Sequence, residues 1–482
     1  MSPLILSFSL YLGIVLLIGI FSARKASSQR EFLLGGRELP GWAIAISERA
    51  SGESSWLLLG LTGAALTVGL GEIWTVLGCV AGILFLWFRL GGSIRAELEG
   101  SDALTVPELL AQRFGDPGHL LRWTASLVII FFFSFYVAAQ MVGAGKILMK
   151  TGIVSEIWPA FLAQETWGIV LGAMIVMLYT LLGGFRAVVW TDLLQGFIMI
   201  LALVLLPLVG YWELQEKHGD IASALKALGP EKASWTGGES GWAAWSLILG
   251  GLSWGLGYMG QPHLLVRFMA LPRASEVRKL RWLAGVWTLL AYGGAFAIGL
   301  LGLGLLGAES FAGDAEKIMP MLATRLFPAW IAGIVISGAV AAMMSTADSQ
   351  LLVTCSAFSE DIAERILGLN LSASAQVMLS RIVVLLVGGA AFALALSSGD
   401  TVYSMVSYAW SGLGSSFGPV ILLMVFWKGI RRNGALASLL TGTFATILWK
   451  NSLLDTLISH RFSAFALALL AGVIFSKLPG RD

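Results

Sequence analysis

The sequence predicts an all-α protein that crosses a membrane many times, and three observations carry that prediction. Of its 482 residues, 57% are hydrophobic and only 12% charged, whereas soluble domains carry about 25% charged residues. The apolar stretches run to about 20 residues, the length a helix needs to cross the hydrocarbon core. None alternates like a barrel strand, so helices must satisfy the backbone within the bilayer. A mean hydropathy of +0.82 belongs to a polytopic protein rather than a globule with an anchor. It excludes a nucleic-acid binder, a disordered scaffold and a secreted disulfide module. The net charge of +2 names no partner. Cys79 and Cys355 lie in apolar runs, and His119, His218, His263 and His460 are scattered without ligand spacing, so a metal enzyme is not expected.

Thirteen spans are expected, near 3–22, 40–66, 70–94, 120–149, 167–184, 187–212, 243–266, 282–307, 327–363, 376–398, 402–427, 434–450 and 462–477. The first is too long and too poor in positive charge for a cleaved signal peptide. Basic residues set the orientation. With the N-terminus outside, 21 lysines and arginines face inward, from Arg24 and Lys25 through Arg186, Arg267 and Arg273 to Arg481, against 9 outward. An odd span count then leaves the C-terminus in the cytoplasm. Arg49 fits neither side because it lies within the second span. The outer segment 213–242 is mildly polar and is expected to carry a short surface helix. No second domain, linker or low-complexity tail is expected.

Ionisable groups at membrane depth are costly and mark pathways. The second span reads Ser47-Glu48-Arg49-Ala50-Ser51-Gly52-Glu53-Ser54-Ser55-Trp56, which a continuous lipid-facing helix would not tolerate. A helix interrupted near Ser51-Gly52, with freed carbonyls aimed at a cation, would use it; the alternative is a gluing ion pair of Arg49 with Glu48 or Glu53. The ninth span holds Ala342, Ser345, Thr346 and Ser349 on one face at 100° per residue, with Asp348 on the Ser345 flank and Gln350 on the other. Hydroxyls and a carboxylate suit a hard cation, while small-residue packing explains the alanines and serines but not Asp348. Asp192 stands near the start of the sixth span as a second intramembrane carboxylate or as a helix cap. In the seventh span, Trp254-Gly255-Leu256-Gly257-Tyr258-Met259-Gly260-Gln261-Pro262-His263 should bend or break a helix. Its aromatic pair either walls a pocket or belongs to an interfacial belt.

The chain resembles the sodium/solute symporter family, most closely its sodium/proline branch. The likeness runs along most of the chain and is densest at Ser51 to Leu61, Gly183 to Asp192, Trp254 to His263 and Ile336 to Leu352. The resemblance implies a LeuT-type fold with a five-plus-five inverted repeat. The first span is then an N-terminal addition, 40–212 the first repeat, 243–427 the inverted second, and 434–477 two C-terminal spans. It implies a main Na+ site from the carbonyls of Ala50, Glu53 and Ala342 and the side chains of Ser345 and Thr346. A second ion site maps onto Asp192, Ser345, Asp348 and Ser349. Substrate positions map onto Ser51, Gly52, Ser54, Trp56, Trp254, Tyr258 and Pro262. The chain departs from the proline branch in carrying Gly52 where that branch has Asp, Glu53 where it has an apolar residue, and Asp348 where it has a small polar one.

The leading expectation is Na+-coupled uptake of a small solute, proline or a related amino acid, by a multi-pass protein of the cell membrane acting as a monomer in the lipid bilayer. Na+ held by oxygen ligands needs no catalytic group, so an enzyme is not expected. The shifted carboxylates leave proton-coupled uptake of another small carboxylate open. Arg49 and Glu53 either receive the two charges of an amino acid or pair with each other. A solute sensor and a channel are the competing classes; no signalling module is expected after Lys477.

Overall fold

A computed structural model describes residues 2–23, 29–99, 101–150, 164–182, 184–307 and 313–478. Arg24, Lys25, Gly183 and Arg481, which entered the reading above, lie outside the described residues. Among the described residues every regular element is helical. The principal helices are α1 (Pro3–Ala23), α2 (Gly41–Gly52), α3 (Thr62–Val68), α4 (Ile73–Phe85), α5 (Leu120–Lys150), α6 (Gln164–Leu182), α7 (Phe185–His218), α8 (Gly241–Leu252), α9 (Pro262–Ala270), α10 (Ala274–Leu306), α11 (Ala329–Ser356), α12 (Ala373–Ser397), α13 (Val402–Phe426), α14 (Arg432–Lys450) and α15 (His460–Lys477).

Nine helical runs among the described residues are long and apolar enough to cross a membrane. Eight of them fall on one expected stretch each, and the ninth, Trp56–Glu97, runs from the end of the second stretch through the third. The other four have identifiable reasons for missing that standard. Stretches 40–66 and 243–266 are broken, only Thr166–Leu178 of the fifth is apolar enough, and α14 begins and ends on charge. Helix ends also overrun the apolar runs. α10 starts at Ala274 rather than near 282, its first turns carrying Glu276, Arg278, Lys279 and Arg281, because hydropathy does not mark where a helix leaves the lipid.

The two breaks are built differently. α2 stops at Gly52 because Glu53 takes φ −112° and ψ 87°; the chain resumes as a π-helical stretch, Trp56–Leu61, running into α3. After α8, short turns at Trp254–Gly257 and Tyr258–Gly260 lead to Gln261, which is extended at φ −86° and ψ 108°. Pro262 then opens α9 at the first helical position, where its missing N–H costs no bond and its fixed φ suits the helix.

Polarity is arranged inside-out. Leu6, Leu10, Phe197, Trp282, Leu386 and Leu448 are exposed, whereas Ser51, Glu53, Asp192, Ser345, Thr346 and Asp348 are wholly buried. An exterior this apolar is the reverse of a water-soluble surface. α11 packs against α1, α5 and α7, and α2 lies among α7, α9, α10 and α11, which sets the broken strand of the chain at the centre of the bundle. The 213–242 segment carries the short helix Ile221–Ala227, capped where Asp220 accepts the Ser223 N–H at 2.8 Å.

Candidate functional site

At the α2 break, α11 lends its hydroxyls to the freed backbone. Ser345 Oγ lies 3.1 Å from the carbonyl oxygens of both Ala50 and Ala342, and Thr346 donates to the Ser51 carbonyl at 3.1 Å. The Glu53 N–H reaches the Ala50 carbonyl at 3.4 Å. The residues expected at the main ion site therefore meet across two helices. Carbonyl and hydroxyl oxygens in a dry site are the ligands a hard cation takes.

The second cluster is partly as expected. Asp192 is not a helix cap: α7 begins seven residues earlier, behind Gly184, so the carboxylate stands two turns inside. Its Oδ2 accepts from Ser47 Oγ at 2.6 Å and Ser51 Oγ at 3.1 Å. Ser51 Oγ is 3.0 Å from Ser349 Oγ, which is 3.2 Å from Asp348 Oδ1. One set of hydroxyls thus links both carboxylates. Into this chain comes a residue that the sequence reading had placed among the inward basic flanks. Arg267 Nη2 lies 2.5 Å from Ser349 Oγ, 2.7 Å from Ser51 Oγ and 3.3 Å from Asp192 Oδ2, and its Nη1 donates to the His263 carbonyl at 2.7 Å. The site holds two carboxylates and one permanent cation. Asp192 Oδ1 and Asp348 Oδ2 remain buried without a hydrogen-bond partner.

Beside the break, Arg49 pairs with Glu48, its Nε donating at 2.6 Å, and Glu48 also accepts from Trp87 Nε1 at 2.8 Å. Of the two partners open to Arg49, Glu48 takes the salt bridge. Glu53 turns instead to Trp287, accepting from Nε1 at 2.9 Å, with its other oxygen unpartnered. A side chain at position 52 would start 3.4 Å from Arg49 Nη2, so an Asp there would meet a guanidinium.

The aromatic pair of the second break is wholly buried, which replaces the belt alternative. Trp254 stacks on Trp56 with centroids 4.5 Å apart and planes 7° from parallel. Tyr258 meets Trp410 edge-on at 4.6 Å and shares a hydroxyl contact with Tyr292. Ser54 Oγ is 3.3 Å from Tyr136 OH, and the Ser55 N–H reaches Gln140 Oε1 at 3.0 Å. Trp56 Nε1 and Ser55 Oγ are buried and unpartnered. Tyr136, Gln140, Tyr292 and Trp410 escaped the sequence reading, since each looks like an ordinary core residue in its own helix. The glycines here allow backbones to touch: a Cβ on Gly255 would fall 2.1 Å from the Gly78 carbonyl oxygen, and one on Gly82 would fall 2.2 Å from that of Gly255.

An interrupted helix whose carbonyls face hydroxyls, beside a buried aromatic cluster, offers oxygen ligands and apolar surface side by side. The model of the sodium:solute symporter family matches residues 32–442. The chain belongs to that family. It is 37% identical to the high-affinity proline transporter PutP of Bacillus subtilis, over 96% of each chain. It is also 37% identical to the sodium/proline symporter of Escherichia coli, over 93% of this chain and 88% of the relative. Among solved structures it is similar to a Na+-coupled sialic acid symporter in a substrate-bound outward-open state, with TM-score 0.79, 20% identity and coverage of 100% and 98%. A more distant likeness joins it to MhsT in complex with L-phenylalanine, with TM-score 0.57 and 15% identity over 90% of this chain and 98% of the other. The fold is that of LeuT-type transporters. The symporter is a multi-pass membrane protein that couples solute movement to Na+, and it is a transporter rather than an enzyme.

Proposed function

We propose that this symporter carries proline, or a closely related amino acid, into the cell on an inward Na+ gradient. The observation that carries the reading is the pair of α11 hydroxyls, Ser345 and Thr346, reaching the carbonyls of Ala50 and Ser51 at the α2 break. Na+ entering there would exchange hydroxyl–carbonyl bonds for metal–oxygen bonds, with the carbonyls of Ala50, Glu53 and Ala342 completing the site. The names of the relatives support proline as the solute. Trp56, Trp254 and Tyr258 would wall its ring, and Ser51, Gly52, Ser54 and Pro262 would shape the two breaks around it. Unpartnered Trp56 Nε1 and Ser55 Oγ supply polar atoms where a solute would lie.

In this reading the chain has thirteen spans with its N-terminus outside and its C-terminus in the cytoplasm. Residues 40–212 and 243–427 form the two inverted halves, 3–22 and 434–477 are additions, and the protein works as a monomer. Asp192, Ser345, Asp348 and Ser349 form a second ion site, with Arg267 neutralising one carboxylate and leaving the other charge for Na+. One observation favours a variant reading. The free oxygen of Glu53 beside the main site is placed to hold a proton, which would couple uptake to H+ as well.

Purified protein in proteoliposomes should accumulate labelled proline only under an inward Na+ gradient, and should exchange it in counterflow. Binding without flux would make it a sensor, and ion flux without solute a channel. Uptake driven by a pH gradient in the absence of Na+ would select the proton-coupled variant.

A further inference from the structure

α1 lies outside the two repeats of the proposed topology, yet one of its faces is built into the bundle. Leu6, Leu10 and Leu17 are exposed, whereas Leu4, Phe8, Tyr11 and Val15 are buried, the stripe of a helix packed along one side. That stripe rests on α11 and α7. The seam with α11 is close from its start: a Cβ on Gly333 would fall 2.1 Å from Ser7 Oγ and 2.7 Å from the Leu4 carbonyl oxygen. About three turns further along α11, Met344 lies on the same face, and Tyr11 OH reaches its Sδ at 3.8 Å.

A thioether sulfur is a weak acceptor, so the buried phenol is poorly satisfied by Met344 alone. The other polar groups around it are Gln195, Asp348 and Asp192. Asp348 follows Met344 by one turn of α11, and Gln195 follows Asp192 by one turn of α7. Gln195 is wholly buried, and neither Oε1 nor Nε2 has a hydrogen-bond partner among the described residues. Asp348 Oδ2 and Asp192 Oδ1 are in the same condition, while the other oxygen of each carboxylate is held by serine hydroxyls. Burying an amide and two carboxylate oxygens unpaired is costly. Leucine or methionine at 195 would fill the seam without that cost, so packing does not account for the amide.

A cation does account for it, because amide, phenol and carboxylate oxygens are the ligands a hard cation takes. Resting on the second ion site proposed above, we infer that α1 closes that site, Tyr11 OH and Gln195 Oε1 joining Asp348 Oδ2 as ligands from the α1 side. The N-terminal span is then part of the ion machinery rather than an addition beside it.

Tyr11→Phe and Gln195→Met keep the shape of the seam and remove its oxygens. Equilibrium binding of radiolabelled Na+ to the purified full chain reads the effect without a solute. Wild type should bind two Na+ and Asp348→Asn one. Each seam variant should weaken the second Na+ about tenfold, the scale of one lost contact to a charge, and leave the first within about twofold. If Gln195→Met does not assemble, Tyr11→Phe decides, since it removes a single oxygen. Wild-type affinity for the second Na+ in the seam variants overturns the inference. A lowered melting temperature with an unaltered Na+ titration overturns it too, because that is the signature of helix packing alone. Should Asp348→Asn lose the second Na+ while the seam variants keep it, the second site stands and only the role of α1 falls. Two Na+ bound by Asp348→Asn would refute the second site itself, and the inference with it.

Discussion

The two broken helices perform the same geometric act with opposite chemistry. The first opens at Gly52–Ser55 amid hydroxyls, carboxylates and a guanidinium, and its carbonyls are met by α11. The second opens at Tyr258–Gln261 amid glycines, aromatic rings and a proline, and its side chains are met by Trp56, Tyr292 and Trp410. A break in a helix frees backbone groups wherever it occurs. What it then binds depends on the side chains that surround it. Under the proposed function, the difference teaches that the first break chiefly supplies the oxygens for the ion, while the second supplies aromatic surface for the solute.

That division can be broken by mutation. The largest effect should come from Ser345→Ala with Thr346→Ala, which removes two oxygen ligands from a small site. Apparent Na+ affinity should fall about a hundredfold, on the scale of two lost bonds to a charge, while solute affinity at saturating Na+ moves far less. Equilibrium proline binding titrated with Na+ measures both, and an unchanged Na+ midpoint would sink the assignment. Next in size, Tyr258→Ala should weaken proline binding by ten- to thirtyfold, roughly one buried aromatic contact with its hydroxyl, and shift the Na+ midpoint no more than about twofold. Equal losses in both titrations would erase the contrast between the breaks.

A third substitution sharpens the comparison within the ion side. Asp348 faces Asp192 across Ser51 and Ser349, with Arg267 between them, so the cluster keeps one negative charge to be met by Na+ or a proton. Acidification should therefore compete with Na+ in wild type. Asp348→Asn should abolish that competition and lower the Na+-to-solute ratio, read from the reversal potential of solute flux. Identical ratio and pH profile in the two proteins would leave the second site unsupported. The smallest effect is expected for Glu53→Gln, whose amide keeps an acceptor for Trp287: a change of about threefold in KM, with any H+-driven component of uptake removed.

The legibility of these features in the sequence follows from where their causes lie. The first break was readable because a run of small, polar and charged residues within an apolar span has few other uses. Ser345 and Thr346 could be placed on one face from helical spacing alone. Arg267 could not, because a basic residue at the end of an apolar stretch, followed by Arg273, Arg278 and Lys279, looks like a membrane-edge anchor; only the packing of α9 beside α2 and α11 draws it inward. The pairing of Arg49 was open for the same reason. Its choice of Glu48 depends on Trp87 and Trp287, which come from helices distant in sequence. Asp192 remained ambiguous because the true start of α7 lies at Phe185, in a turn no hydropathy window separates from the loop.

Where Gly255 meets Gly78 and Gly82, main chain lies directly on main chain. Such a joint has no side chains between the two backbones, so its spacing is set by glycine alone. A side chain on any of these glycines would push α4 and the segment from α8 through Tyr258 apart, so Gly255→Ala should cost stability through backbone separation rather than through lost burial.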